Sequence, residues 1–145
     1  MKLNLDCVRS ILLCVEDNTG LRTRCIFVDS YRDSKLATMG MKTQKQMDYQ
    51  KELLEEYDID ELMYHVKYCI EADLIAEVQG SSLYLRQIAD LTPKGHNFLA
   101  NIRDNSVWGG VKSVAAKIGS KSLDAVTQIA SNVVAELIKS HFGIR

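Results

Sequence analysis

The most constraining feature of the sequence is an amphipathic segment over residues 58–74, which two short alternating segments follow directly. Its apolar residues recur at helical spacing, and Asp58 with Glu61 three residues later is typical of a capped helix start. The runs at residues 75–79 and 83–91 flank the turn residues 80–82 and predict a β-hairpin. A helix that leads into a hairpin is the second half of a winged helix-turn-helix, so this order restricts the fold more than any single motif does.

The segments before this helix supply the remaining elements of a winged helix-turn-helix. Residues 3–16 show apolar side chains at helical spacing, and residues 25–28 form a short β-rich run that can join the hairpin as a third strand. Residues 32–44 are polar, contain a glycine and predict a loop, whereas residues 43–56 carry a weaker helical stripe. The sequence therefore predicts a mainly α fold with a small β-sheet, arranged as a winged helix-turn-helix.

The only proline of the chain, Pro93, marks the helix that follows the hairpin. Thr92 is typical of an N-cap, and proline is tolerated at the first helical position because its missing N–H has no helical partner there. His96 lies in this helix. We interpret it as a structural hydrogen-bonding residue, because no nucleophile or carboxylate stands at a recognisable motif spacing from it.

Residues 105–145 predict a C-terminal helical extension that follows a winged-helix domain of residues 1–104. Two helical segments divide near Gly119, and the second carries an apolar stripe at three- and four-residue spacing. This apolar stripe can be buried in three ways: against the chain's own domain, against a second copy of the chain, or against a membrane surface. A weakly charged polar face and a single aromatic residue disfavour the membrane surface. The residues predicted to mediate self-association are Leu123, Val126, Ile129, Val133 and Leu137.

The charge distribution gives no general attraction to nucleic acid, since the net charge is −1. Residues 58–104 carry eight acidic and four basic side chains, whereas residues 105–145 carry two acidic and five basic ones. Residues 22–51 carry seven basic side chains against three acidic ones. We therefore expect an anionic partner to meet the ends of the chain rather than its middle.

The four cysteines predict buried thiols in a reducing compartment. Cys7 and Cys14 are seven residues apart on one predicted helix, about 10 Å, which is too far for a disulfide. His65 and Cys69 have the spacing of two metal ligands on a helix, but the sequence offers no second pair. Phosphate-loop, dinucleotide-binding and nucleophile-elbow motifs are absent as well. We expect no metal, no cofactor, no enzymatic activity, no membrane-spanning segment and a cytoplasmic location.

Three segments of the chain carry a family resemblance: LNLDCVRSILLCVE at residues 3–16, DELMYHVKYCIEADLI at residues 60–75 and LTPKGHNFLANIRDNSVW at residues 91–108. Together they resemble the domain of unknown function 2513 family, found in Gram-positive bacteria and their phages. The resemblance implies a winged-helix fold and a phage or prophage context, and it carries over no catalytic residues. The family commonly has glycine where this chain has Asp73.

The sequence is consistent with two different functions. The first is a dimeric winged-helix protein that binds double-stranded DNA or associates with transcription, with the helix at residues 59–73 as the reader. Its predicted DNA contacts are Tyr64, Lys67, Tyr68 and Arg86, with Arg22, Arg24, Lys42 and Lys45 as phosphate partners. The second is a protein-interaction module that keeps the winged-helix shape without binding DNA. The acidic middle of the chain and the apolar C-terminal stripe favour it.

Overall fold

The first helix and the first strand of the structure lie close to their predicted positions. The computed structural model describes residues 1–41, 44–82, 84–119 and 122–143. Helix α1 (Leu5–Asn18) begins after Asn4, whose side-chain oxygen accepts from the backbone N–H of Cys7 at 3.2 Å. Strand β1 (Cys25–Val28) occupies the predicted residues.

The segment between β1 and the amphipathic helix differs from the prediction. Residues predicted as a loop form helix α2 (Ser30–Thr38), because the Asp29 carboxylate accepts from the backbone N–H groups of Tyr31 and Arg32. The helix predicted over residues 43–56 is shorter: α3 spans Asp48–Leu53. Residue 43 itself lies outside the described residues. An N-cap rather than an apolar stripe defines α2, so hydrophobic spacing gave no sign of it.

The amphipathic helix is confirmed at both ends. Helix α4 (Ile59–Glu71) begins after Asp58, whose carboxylate accepts from the Glu61 N–H at 2.7 Å. The helix ends at Glu71 with Ala72 as its C-cap, and the next residue, Asp73, has a φ of 59°. The backbone N–H groups of Asp73 and Leu74 donate to the carbonyls of Ile70 and Cys69, each at 3.0 Å. This pair of bonds is a Schellman motif, and it explains the left-handed backbone at Asp73.

The predicted hairpin and its third strand are present as one antiparallel sheet. Strands β2 (Ile75–Glu77) and β3 (Leu85–Leu91) pair with each other, and β1 pairs with the other edge of β3, giving the order β1-β3-β2. Cys25 lies opposite Ile88, and Phe27 lies opposite Arg86. Opposed residues in antiparallel strands share a face, so Arg86 points to the same side as the buried Phe27 and Ile88. The element order and the sheet order are compatible with a winged helix.

Residues 1–92 form one compact unit. In it α1 contacts α4, β1 and β3, and α4 contacts β2. These contacts follow from the apolar faces that the spacing predicted. Its largest buried apolar side chains are Val8, Ile11, Leu12, Phe27, Leu62, Leu74, Ile75 and Ile88.

Residues 93–145 form the second compact unit. It contains α5 (Pro93–Ile102), α6 (Asn105–Ile118) and α7 (Leu123–Phe142), which contact one another pairwise. Gly119, with a φ of 74°, ends α6, so the predicted division into two helices near this residue is confirmed. The units thus divide after Thr92, and the domain division after residue 104 stays a prediction. Within the described residues, none of the helices is both long enough and apolar enough to cross a membrane.

Candidate functional site

Three of the residues predicted to contact DNA line one cleft of the first unit. Tyr64 and Lys67 lie three residues apart on α4 and therefore share a face of the helix, while Arg86 comes from β3. The cleft has a volume of about 300 Å³, and we call it the α4–β3 cleft. Its lining residues are Asp29, Arg32, Met63, Tyr64, Lys67 and Arg86.

Arg86 lies on strand β3 of the predicted hairpin, but its side chain is on the buried face of the sheet. Its Nη1 donates to the two carboxylate oxygens of Glu77 at 2.9 and 3.1 Å. Their side chains are only 14% and 22% exposed. The pleat that aligns Arg86 with Phe27 explains this burial. A phosphate group that contacted Arg86 would have to compete with a close carboxylate.

The other two cations of the cleft also have carboxylate neighbours. Lys67 Nζ lies 3.8 Å from Glu71, and Arg32 Nε lies 3.7 Å from Asp29. The side chains of Lys67 and Glu71 are more than half exposed, and ion pairs of this kind contribute little to stability. An external anion can therefore replace Glu71 as the partner of Lys67. Each of the three cations of the cleft thus has a carboxylate beside it, although only Asp29 lines the cleft itself. These carboxylates weaken the attraction of the cleft for a polyanion.

Aromatic rings extend the α4 face beside the cleft. The ring centroids of Tyr64 and Tyr68 are 6.2 Å apart, and those of Tyr64 and His65 are 5.3 Å apart. Both tyrosines are half-buried. Their spacing of four residues gives α4 an aromatic patch next to the cations, which suits stacking or apolar contact with a ligand.

His65 is fully buried and does not belong to the exposed face of α4, although it directly follows Tyr64 in the sequence. The backbone N–H of Asn4 donates to His65 Nε2 at 2.8 Å, and His65 Nδ1 lies 2.7 Å from the carbonyl oxygen of Glu61. Because a backbone N–H can only donate, Nε2 is the unprotonated nitrogen and Nδ1 donates to Glu61. His65 thus ties the start of α1 to α4. The described residues contain no group of three metal-ligating side chains.

The predicted phosphate partners do not converge on the α4–β3 cleft. Arg22 and Arg24 line a separate cavity of the same unit, about 380 Å³ in volume. Lys45 is exposed in the segment before α3, and Lys42 lies outside the described residues. The seven predicted DNA contacts that the structure describes are therefore distributed over more than one surface.

Comparison with known proteins assigns the chain to a family. The sequence model of the family described as "Hypothetical protein (DUF2513)" matches residues 2–122. The chain belongs to this family. A protein of Haemophilus influenzae, described as "Uncharacterized protein", is 28% identical over 141 residues, which cover 95% of this chain and 99% of that protein. No solved structure matches the chain.

The second unit of this DUF2513 protein carries an apolar groove. It lies between α6 and α7, has a volume of about 570 Å³, and is called the α6–α7 groove below. Ile118 and Leu137 on its walls are 66% and 51% exposed. Its lining residues are Val114, Ile118, Ile129, Asn132, Val133, Glu136, Leu137 and Ser140.

The predicted self-association residues fall into two groups along α7. Leu123 and Val126 are buried, so they are not accessible to a partner. Ile129 is 9% exposed and already lines the α6–α7 groove. Val133 is half-buried, Leu137 is exposed, and both line the groove. One apolar stripe thus continues from a covered first half to an uncovered second half of the helix.

Sequence reasoning missed the α6 wall of this groove. Val114 and Ile118 are four residues apart and share a face of α6, a spacing that could have been read from the sequence. The DUF2513 match ends at residue 122, just before α7, but the Haemophilus influenzae relative covers 95% of the chain. The similarity to that relative therefore extends into α7.

Proposed function

We propose that this DUF2513 protein is a protein-interaction module that associates with a second copy of itself through the α6–α7 groove. The observation that carries the proposal is the exposure of Ile118 and Leu137 where a buried apolar stripe continues. Contiguous exposed apolar surface on a protein marks an interaction site more often than isolated apolar residues do. Covering Val133 and Leu137 would contribute up to roughly 1.5 to 3 kcal/mol each.

The chemistry of α7 favours a second copy as the partner. The apolar stripe of α7 repeats at three- and four-residue spacing, which suits packing against another helix. In a second copy of the chain, α7 offers a stripe with the same spacing. A two-fold interface uses the same surface on both copies, so this surface must tolerate itself. The charged residues of the exposed half of α7 are Glu136 and Lys139, which have opposite signs, so two copies meet without net repulsion.

Sedimentation of the full chain with Leu137→Glu and Ala135→Glu tests the association. Both changes add one negative charge to the same turn of α7, but Ala135 is exposed and does not line the groove. We expect a wild-type dimer with a dissociation constant of about 1 μM, retained in Ala135→Glu and lost in Leu137→Glu. Val133→Asp should have the same effect as Leu137→Glu. A wild-type chain that stays monomeric at about 100 μM would contradict the proposal.

DNA binding through the α4–β3 cleft is the second candidate function. It is favoured by one observation: Tyr64, Lys67 and Arg86, chosen as DNA contacts from the sequence, line the same cleft. The carboxylates beside the cations count against strong binding, since neutralisation of phosphates supplies most of the affinity for DNA.

A titration with mixed-sequence duplex DNA at low and moderate salt tests this candidate. Lys67→Ala should weaken binding by reducing the number of phosphate contacts, and the dependence of affinity on salt should become less steep by about one charge. Lys117→Ala, an exposed lysine of the other unit, is the control. Absence of binding at low salt would exclude the candidate. The proposal as a whole includes no catalytic step.

A further inference from the structure

The loop between α1 and β1 forms a cavity whose chemistry differs from that of the two sites above. Residues 20–24 close on themselves, because the Gly20 N–H donates to the Thr23 carbonyl at 3.2 Å. Leu21 is 94% exposed at the tip of this loop, and an arginine follows it at position 22 and another at position 24. The lining residues are Gly20, Leu21, Arg22, Thr23, Arg24, Val78 and Ala89. We call it the Arg22–Arg24 cavity.

The floor of the cavity belongs to the outer side of the sheet. Ala89 is the neighbour of Ile88, which is buried, so the strand pleat turns Ala89 to the opposite face. Gln87 lies on the same face as Ala89, and its Oε1 accepts from Arg24 Nη1 at 3.2 Å. Gln87 therefore orients the Arg24 guanidinium at the cavity and leaves most of its five N–H groups for a ligand.

The lining combines positive charge with apolar surface. Both charged lining residues, Arg22 and Arg24, are basic, and both are exposed. The nearest residue of opposite sign along β3 is Asp90, whose carboxylate accepts from the Leu91 N–H at 2.7 Å and from the Thr19 hydroxyl at 3.3 Å. Val78, Ala89 and Leu21 supply the apolar contact. Arginine forks match carboxylates in geometry, and the apolar surface suits a side chain between them.

We infer that the Arg22–Arg24 cavity binds an acidic segment of a protein partner, with carboxylates on the two arginines and an apolar side chain between Leu21 and the sheet. A peptide fits this lining better than duplex DNA does. Two arginines offer few phosphate contacts for a polyanion, and a sugar-phosphate backbone would not use the apolar floor. The inference goes beyond the proposed self-association, because it concerns residues 20–24 and not the α6–α7 groove.

Fluorescence anisotropy with the full chain and labelled peptides tests this inference. The probe is the peptide Glu-Glu-Leu-Glu-Glu, compared with Gln-Gln-Leu-Gln-Gln, with Glu-Glu-Gly-Glu-Glu and with a short mixed-sequence duplex DNA. We expect the first peptide to bind most tightly. The double variant Arg22→Glu with Arg24→Glu should weaken its binding about tenfold or more, because it removes both guanidinium donors and places two carboxylates opposite those of the peptide. Leu21→Ser should weaken it by a smaller factor.

The matched control is Lys45→Glu with Lys117→Glu, which changes the net charge equally at two exposed positions outside the cavity. This control should keep the affinity within about twofold, because it changes the net charge equally but leaves both arginines of the cavity in place. Three results would overturn the inference: equal weakening in the control, equal binding of the neutral or the glycine peptide, or tighter binding of DNA that the arginine variant abolishes. All of them can be observed whether or not the chain dimerises, so the outcome is separate from that of the proposed self-association. Thermal unfolding of each variant confirms that it is folded.

Discussion

The side chain of Gln50 forms two hydrogen bonds with the backbone of Val28. The Val28 N–H donates to Gln50 Oε1 at 2.8 Å, and Gln50 Nε2 donates to the Val28 carbonyl at 2.6 Å. One residue earlier on α3, the Tyr49 hydroxyl accepts from the Ile26 N–H at 2.7 Å. Because β1 is an edge strand of the sheet, α3 covers its outer edge in the place of a further strand.

Gln50→Leu should therefore destabilise the protein strongly. Leucine keeps the volume and the burial of the side chain but leaves the Val28 N–H and carbonyl without their partner. We expect a loss of about 2 to 4 kcal/mol in the free energy of unfolding, because each unsatisfied buried group costs about 1 to 3 kcal/mol. Urea denaturation measures this loss. Gln46→Leu, at a half-buried position before α3, should change stability by less than about 0.5 kcal/mol. Equal losses in both variants would contradict this account.

Gln50 shows what sequence periodicity can and cannot supply. Gln50 falls in the helical stripe of residues 43–56, so its position predicted an inward side chain, and Gln50 is buried. Its bonding partner depends on the distance between α3 and β1, which lie more than twenty residues apart in sequence. The spacing of apolar residues along one helix gives no information on how close that helix lies to a strand elsewhere in the chain.

The same limit applies to the α4–β3 cleft. The sequence predicted α4, β3 and a shared site for Tyr64 and Lys67, because these features follow from local spacing and capping. It did not predict that Arg86 would turn inward to Glu77. That outcome depends on the register between β2, β3 and β1, where a shift of one residue would move Arg86 to the other face.

Asp73→Gly should stabilise the protein. Asp73 has a φ of 59°, a left-handed conformation that costs a residue with a Cβ atom more than it costs glycine. The Thr92 hydroxyl donates to the backbone carbonyl of Asp73, and glycine retains this bond. We expect a gain of about 0.5 to 1 kcal/mol in thermal or urea unfolding. Ala72→Gly, one residue earlier at a φ of −82°, should instead lower stability. A loss of stability in Asp73→Gly would show that its carboxylate stabilises the turn.

Stability should fall at alkaline pH because of the buried thiols. Burial, and then the charge of Glu61, raises the pKa of Cys7 from its ordinary value of 9.0 to about 12. Burial, and then Cys7, also raises the pKa of Cys69. Above about pH 9 the unfolded chain loses these protons while the folded chain keeps them, so the stability present below pH 9 declines as the pH rises towards 12. Each thiol contributes a slope of up to about 1.4 kcal/mol per pH unit.

Urea denaturation of Cys69→Ala over this pH range tests the assignment. The variant should be less stable than the wild type at neutral pH, but its stability should decline less steeply above pH 9 because one titrating thiol is absent. Val66→Ala provides the control, since it also removes buried volume from α4 while keeping both thiols. Tyr49, whose pKa burial raises to about 12, remains in both variants and preserves part of the decline. Identical slopes in the two variants would exclude Cys69 as a source of the pH dependence.

Glu77→Gln separates the structural and the ligand-binding roles of Arg86. The substitution keeps the shape of the side chain but removes the charge that faces a guanidinium only 14% exposed. We expect a loss of about 1 to 3 kcal/mol in the free energy of unfolding, because a partly buried charge then lacks its opposite charge. Glu71→Gln, which removes the exposed partner of Lys67, should cost less than about 1 kcal/mol.

If the α4–β3 cleft binds DNA, Glu77→Gln should also raise the affinity for duplex DNA, since a phosphate no longer competes with Glu77. The dependence of binding on salt should then become steeper by about one charge. Unchanged DNA affinity in a folded Glu77→Gln protein would assign Arg86 to the stability of the sheet alone.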